Sequence, residues 1–374
     1  MSAPMIYLGL DVHKDSITLA VLPEGTPAPT RVDRLPNDLP KLRRYLARLA
    51  RDGTLRICYE ASGAGFVLYR ALRGWGYHCD VIAPSLIPTK PGVQRKHDKY
   101  DAVQLARLYR AGELTPVRVP SEADERIRDL VRCRETIQRE LLKSRHYLLK
   151  FLARRGFIFR AGKHWTLAHL TWLRELAGPA SPLIDEDLEV LREYLALFDY
   201  KLGRRQALDQ RIAELAQTPT LQTPVQWLQC FRGFQVQGAM VLQTELGDWR
   251  RFDSARALMA YVGLIPREDS TGDRERKGSI TKAGNAHCRH VLIQAAWSYH
   301  HPPKISAALK ARQRGQPATV LSHAWKAQHR LHKVYRHLAY RKQPRIAVVA
   351  VARELVGFLW AVMRHHEPAS VART

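Results

Sequence analysis

The chain has 374 residues, enough for two or three domains and a sizeable core, and carries a formal net charge of +25 with a pI near 10.2. A coat made only for solubility mixes signs, so an excess of this size points to a polyanion partner. The five cysteines (Cys58, Cys79, Cys133, Cys230, Cys288) form no CxxC pair, which excludes a zinc module and a disulfide framework and fits a reducing cytoplasm.

The charge is uneven. Residues 1–118 have an excess of +7, 119–218 of +3 and 219–374 of +15, and no carboxylate stands between Glu275 and Glu354. Nucleic acid is the expected partner. The N-terminus has no basic-then-apolar leader. The apolar stretch 346–363 holds Arg353 and Glu354 and reads as a buried helix, so no membrane partner is expected.

In chain order, Ile6-Tyr7-Leu8-Gly9-Leu10-Asp11-Val12 is an apolar strand with a carboxylate set into it. A turn through His13-Lys14-Asp15-Ser16 leads to the strand Ile17–Leu22, making a hairpin. A short strand follows at 30–33. Leu39, Leu42, Leu46 and Leu49 then have helical spacing, closed by Gly53. Leu55–Tyr59 is a strand stopping at Glu60, Gly63 and Gly65 open a helix, and 77–83 is another strand closed by Pro84. An antiparallel start followed by alternating strand and helix is the order of a ribonuclease-H-like α/β layer.

The next helix begins in Lys96-His97-Asp98-Lys99-Tyr100-Asp101-Ala102. Positions i and i+3 share a helix face, so Asp98 and Asp101 can hold one hard cation together. A helix cap and a first-turn acid explain the same pair. Asp11 inside an apolar strand is costly to bury without a partner, and a metal ion is one such partner. Glu60 ends a second strand, where ligands bind in open α/β sheets, although a strand-end acid paired with lysine fits it too. Together the four acids suit two Mg²⁺ ions about 4 Å apart, the arrangement for phosphoryl transfer.

Residues 119–218 read as two long helices. Ile127, Leu130, Ile137, Leu141, Leu148 and Phe151 mark the first, and Leu188 to Leu215 the second, at near-heptad spacing. An antiparallel coiled-coil hairpin that also pairs with another protomer is expected, with an ordinary two-helix core element as the alternative. The 154–182 segment between them is mixed.

From 219 onward, helices at 238–246 and 254–262 precede a loop, Gly263 to Gly272, that contains Ser270 and Thr271. Arg267, Arg274, Arg276, Lys277, Lys282 and Arg289 surround it as candidate nucleic-acid contacts. A hydroxyl in a flexible loop among cations suits attack on a phosphate; an ordinary Ser-Thr-Gly turn fits the same residues. Helices at 286–300, 304–314, 317–340 and 343–366 alternate basic and apolar faces.

The motifs GLDVHKD, YEASG, KHDKYDAVQLARL and ELGDWRRFDSARALMAYVGLIPREDSTGDRERKGSITKAGNAHCRHVL stand in this order. With this spacing the chain resembles, over essentially its whole length, the transposases and recombinases of the insertion-sequence family one hundred and ten, particularly subgroup eleven-eleven. The resemblance implies an α/β plus all-α architecture in three parts. They are a RuvC-like domain (1–118) with acids Asp11, Glu60, Asp98 and Asp101, a coiled-coil region (119–218), and a mostly helical transposase domain (219–374) with a serine nucleophile. Ser270 matches that serine, and Thr271 stands directly before the glycine. The likeness further implies Mg²⁺, a covalent phosphoserine, donor and target double-stranded DNA, and a structured guide RNA. A homodimer assembling to a tetramer in a prokaryotic cytoplasm, at the nucleoid, is also implied. A hydrolytic RuvC-type nuclease or junction resolvase without an adduct is the alternative enzyme, and an inactive nucleic-acid scaffold the alternative outside catalysis.

Overall fold

The computed structural model describes residues 3–63, 65–88, 98–268 and 277–365. The chain divides into two compact units, Met1–Pro120 and Ser121–Thr374.

The first unit is a sheet covered on both faces. It runs β1 (Met5–Val12), β2 (Ser16–Pro23), β3 (Arg31–Pro36), α1 (Leu39–Leu49), β4 (Thr54–Glu60), α2 (Val67–Gly74), β5 (His78–Ile82) and α3 (Asp98–Arg110). The strand order is β3-β2-β1-β4-β5. β1 pairs antiparallel with β2, and β4 lies parallel to both β1 and β5. Asp38 caps α1, its carboxylate accepting from Lys41 N at 2.8 Å, as N-cap chemistry prefers. One face of the sheet, with Leu8, Leu10, Ile17 and Leu19, packs on Leu42, Leu46, Leu68 and Leu72 of α1 and α2. The other face has small residues, Gly9 and Ala20, and receives Ala102 and Ala106 of α3. Successive strand residues point to opposite faces, so a nearly continuous apolar run such as β2, buried from Ser16 to Leu22, supplies both coats.

The second unit is almost wholly helical. It contains α4 (Glu122–Arg154), α5 (Leu167–Leu176), α6 (Asp185–Leu215), α7 (Gln222–Gln229), α8 (Val236–Leu246) and α9 (Ala255–Tyr261). The short strands β6 (Pro266–Glu268) and β7 (Lys277–Ile280) pair antiparallel. They are followed by α10 (Ala286–Ala296), α11 (Ala307–Gln313), α12 (Ala318–Ala339) and α13 (Pro344–Met363).

Ion pairs Arg134–Asp209 (2.7 Å), Glu140–Lys201 (3.7 Å) and Arg155–Asp187 (2.6 Å) join α4 to α6 in opposite chain order, so the two helices are antiparallel. The 154–182 segment, irregular in sequence, folds as a cap on their far end. Its Leu173 and Leu176 share a core with Leu148, Phe151, Leu191 and Phe198, and Trp165 packs on Phe198. At the other end, Val131 of α4 and Ile212 of α6 join one core with α8, α10, α12 and α13. No division between compact units falls at 218. Helix α13 is long and apolar enough to cross a membrane by length and composition, yet Val348, Val351, Leu355 and Leu359 are buried in this core.

Candidate active site

Gly9 and Cys58 are register partners on adjacent parallel strands, and both face α3. A Cβ on Gly9 would meet the Ala102 carbonyl oxygen at 2.3 Å, and the Cys58 thiol points at the Leu105 carbonyl at 3.8 Å. Asp11 and Glu60 lie two residues further along each strand, on the same face, where β1 and β4 finish. The direction of α3 brings its acids to that edge. Its last turn lies toward the start of β1: Arg110 binds the carbonyls of Pro23, the β2 residue paired with Ile6 near the β1 start, and of Thr26, while Tyr109 donates to Asp80 in mid-β5 at 2.6 Å. Its first turn, carrying Asp98 and Asp101, is therefore at the finishing end.

Asp11 is one-fifth exposed (side chain 19%) and meets His13 Nε2 at 3.1 Å. Glu60 is exposed and Asp101 half-buried. Among the described residues, no three His, Cys, Asp or Glu side chains converge as a metal-binding group. Asp98 begins α3, and its side chain lies outside the described residues. The donors on this edge are carboxylate oxygens, the type that suits a hard cation such as Mg²⁺.

Ser270, Thr271, Arg274 and Arg276 lie outside the described residues, between β6 and β7. The base of that hairpin is tightly built. Thr281 N donates to the Ile265 carbonyl (2.9 Å), Lys282 N to that of Gly263 (3.2 Å) and Asn285 N to that of Tyr261 (3.0 Å). Gly263 and Gly284 have φ of +67° and +81°, and a Cβ on either would stand 2.1 Å from Ala283 O or 2.0 Å from Tyr261 O. Only glycine fits both the left-handed backbone and the contact. Arg267 and Lys282 are exposed beside the hairpin, and Lys277 opens β7. Arg289, half-buried, also braces the hairpin: one guanidinium nitrogen donates to the Val262 (3.0 Å) and Ala283 (3.4 Å) carbonyls, tying the hairpin base to α10.

Below this hairpin is a cluster that sequence reasoning missed. Glu245, 7% exposed at the end of α8, receives two hydrogen bonds from Arg132 of α4 (2.6 and 2.9 Å) and one from Asn285 Nδ2 (2.7 Å). Asn285 also caps α10, accepting from Cys288 N at 3.0 Å. Burial pushes the Glu245 carboxyl up, but the bonds from Arg132 and Asn285 outweigh burial and hold it below the usual carboxylate range. His287 pairs with Glu135 alongside. The available signal was one glutamate closing the apolar run AMVLQTEL. Burial pushes the thiols of Cys58 and Cys288 well up, Cys79 to about 12 and Cys230 to about 11, so none of these four is a ready nucleophile.

A five-stranded mixed sheet with helices on both faces, acids at the finishing ends of its central parallel strands, and a basic helical unit fit a nucleic-acid strand-transfer enzyme of ribonuclease-H-like type. Comparison with known proteins narrows the class. The transposase model of DEDD type matches residues 8–155, and the model described as the IS116/IS110/IS902 transposase family matches 225–310. A protein of Sinorhizobium fredii named as a transposase, y4qE, is 37% identical over 363 residues, covering 96% of this chain and 88% of that one. The transposase for insertion sequence element IS1533 of Leptospira borgpetersenii is 30% identical over 342 residues, covering 90% and 98%. The chain belongs to the IS110 family of transposases. It is accordingly an enzyme of DNA recombination, and DEDD-type domains work with divalent metal ions.

Proposed function

We propose that this transposase cuts and rejoins DNA strands through a covalent phosphoserine at Ser270, with Mg²⁺ held by Asp11, Glu60, Asp98 and Asp101. The observation that carries the reading is the common edge of Asp11, Glu60 and the acid-bearing first turn of α3. Bound there, divalent ions would stabilise charge on a phosphate and on the oxygens entering and leaving it. The chain's own residues do the rest. The Ser270 hydroxyl attacks phosphorus, forming an Oγ–P bond as one strand oxygen leaves and takes up a proton. Arg267 and Lys282, exposed beside the hairpin, draw the phosphate in and offset its charge. The tightly closed hairpin base holds the loop's two ends in one place, which lowers the entropy lost on attack. The phosphoester bond conserves the energy needed for rejoining.

We infer that the α4–α6 hairpin joins two copies of the chain. Leu142, Tyr147, Leu197 and Tyr200 are exposed along it, and exposed apolar surface of this kind marks interfaces. A tetramer, and choice of donor and target DNA by a structured guide RNA, rest on the family likeness. In such a scheme the protein reads duplex shape while base pairing reads sequence.

The test is a denaturing gel of protein incubated with DNA carrying element ends in Mg²⁺. A protein–DNA adduct is expected, lost in Ser270→Ala and kept in Thr271→Ala. An adduct that survives Ser270→Ala and disappears in Thr271→Ala moves the nucleophile to Thr271. Cut strands with free ends and no adduct establish the hydrolytic alternative. Sequencing of RNA that copurifies with the chain tests the guide, and recovery of no discrete species removes it.

A further inference from the structure

We propose that the cleft on the carboxyl-terminal half of α12 binds a single-stranded nucleic-acid segment, with Tyr340 as a base-stacking platform and Lys333, Arg336 and Arg341 on the phosphates. The inference takes from the proposed function only that the chain handles nucleic acid, and uses neither Ser270 nor the four acids.

Helix α12 has two unlike faces. Val320, Ala324, Ala327 and Leu331 are buried in the core. His329, Lys333, Arg336 and Tyr340 follow one another at steps of three or four, so they form a separate stripe. Together with Pro303, this stripe lines a concavity of about 470 Å³ that holds no acidic side chain. Glu354 is the sole carboxylate among the described residues from 277 to 365, and it is already held by Arg330 at 3.0 and 3.3 Å. Lys333, Arg336 and Arg341 have no ion-pair partner among the described residues.

Cations in a last helical turn also offset the helix dipole, which would explain Arg336 and His337 as helix ends ordinarily do. That does not explain Tyr340. Its side chain belongs to a residue 91% exposed, just past the helix and at the rim of the concavity. An aromatic ring left in water among unpaired cations is the combination that binds single strands, where the groove follows the backbone and rings stack on bases. A duplex keeps its bases stacked inside and has none to offer the ring, whereas loops, bulges and separated strands do. A concavity of this size suits one splayed nucleotide.

The experiment is fluorescence anisotropy on the full chain with three labelled probes: a twelve-residue uridine RNA, the matching thymidine DNA, and a DNA duplex of the same length. Tyr340→Ala is expected to weaken single-strand binding about fivefold or more, the usual effect of one lost stack, and to leave duplex affinity within about twofold. Tyr340→Phe keeps the ring and is expected to bind like the parent chain. Replacing Lys333, Arg336 and Arg341 together by Gln should lower the salt dependence of single-strand binding by about two, at roughly 0.7 per phosphate contact. Tighter binding of the RNA or of the DNA probe says which strand the site serves, and either supports the site. Equal loss for duplex and single strands in Tyr340→Ala, or no loss at all, overturns it. Because Tyr340 is on the surface, its substitution tests binding without unfolding the chain. Single-strand binding that persists when no Ser270 adduct forms refutes the phosphoserine reading alone.

Discussion

Gly9 and Ala102 meet backbone to backbone: a Cβ on Gly9 would stand 2.3 Å from the Ala102 carbonyl oxygen and 2.4 Å from Ala106 N. Helix α3 sits directly on β1 because that position has no side chain. Neither contact atom is the end of a flexible side chain, so Gly9→Ala must push the helix away. Overpacking of this kind costs about 1–3 kcal/mol, and a lower melting temperature by circular dichroism is the expected result. Gly25 has nothing within 4 Å of its would-be Cβ, so Gly25→Ala should change stability by no more than about 0.5 kcal/mol. Equal melting of the two variants would show that α3 is not seated as described.

The same displacement moves Asp101, which directly precedes Ala102, away from the edge it shares with Asp11. Asp11→Asn tests that edge without disturbing the packing. Loss of one carboxylate from a cation site should slow strand cutting about a hundredfold or more, given the several kcal/mol a metal contributes to such a transition state. Nicking of supercoiled DNA carrying element ends, in Mg²⁺, measures it. Cutting at the parental rate, with the melting curve unchanged, would remove Asp11 from the chemistry.

Sheet and acid edge were legible because their information is local. Strand alternation gives the face of every residue, so Gly9, Asp11, Cys58 and Glu60 can be placed from sequence once β1 and β4 are neighbours. Helix α5 was not legible: its leucines and tryptophan sit among polar residues, and it is held by the ends of α4 and α6 rather than by its own pattern. Nor was a core shared across position 218, since Val131 and Ile212 find partners in helices far along the chain. The Glu245 cluster is the extreme case. Its partners Arg132 and Asn285 are 113 and 40 residues away, and a lone glutamate closing an apolar run does not say which residues will meet it. The bracing bonds of Arg289 were hidden for a related reason: a basic residue looks the same in sequence whether or not its guanidinium also reaches backbone carbonyls.

Glu245 also gives the second unit a defined response to acid. Its carboxyl is held below the ordinary range when folded, so its ionised contacts stabilise the fold at pH values above about 4.3, the unfolded value. That contribution disappears as pH falls through the lower folded value. The melting-temperature gap between the parent chain and Glu245→Gln should therefore be widest near neutrality and close toward pH 3; a gap that widens in acid contradicts the assignment. Arg132→Met leaves Glu245 with Asn285 as its remaining bonded partner. Breaking a fully buried pair costs about 3–5 kcal/mol. With the Arg132 side chain 39% exposed, solvent screening reduces the expected loss to about 2–3 kcal/mol. Since Asn285 both accepts from α10 and donates to Glu245 at the base of the β6–β7 hairpin, this variant should also slow adduct formation at temperatures where it remains folded. Adduct formation at the parental rate there would confine Glu245 to stability.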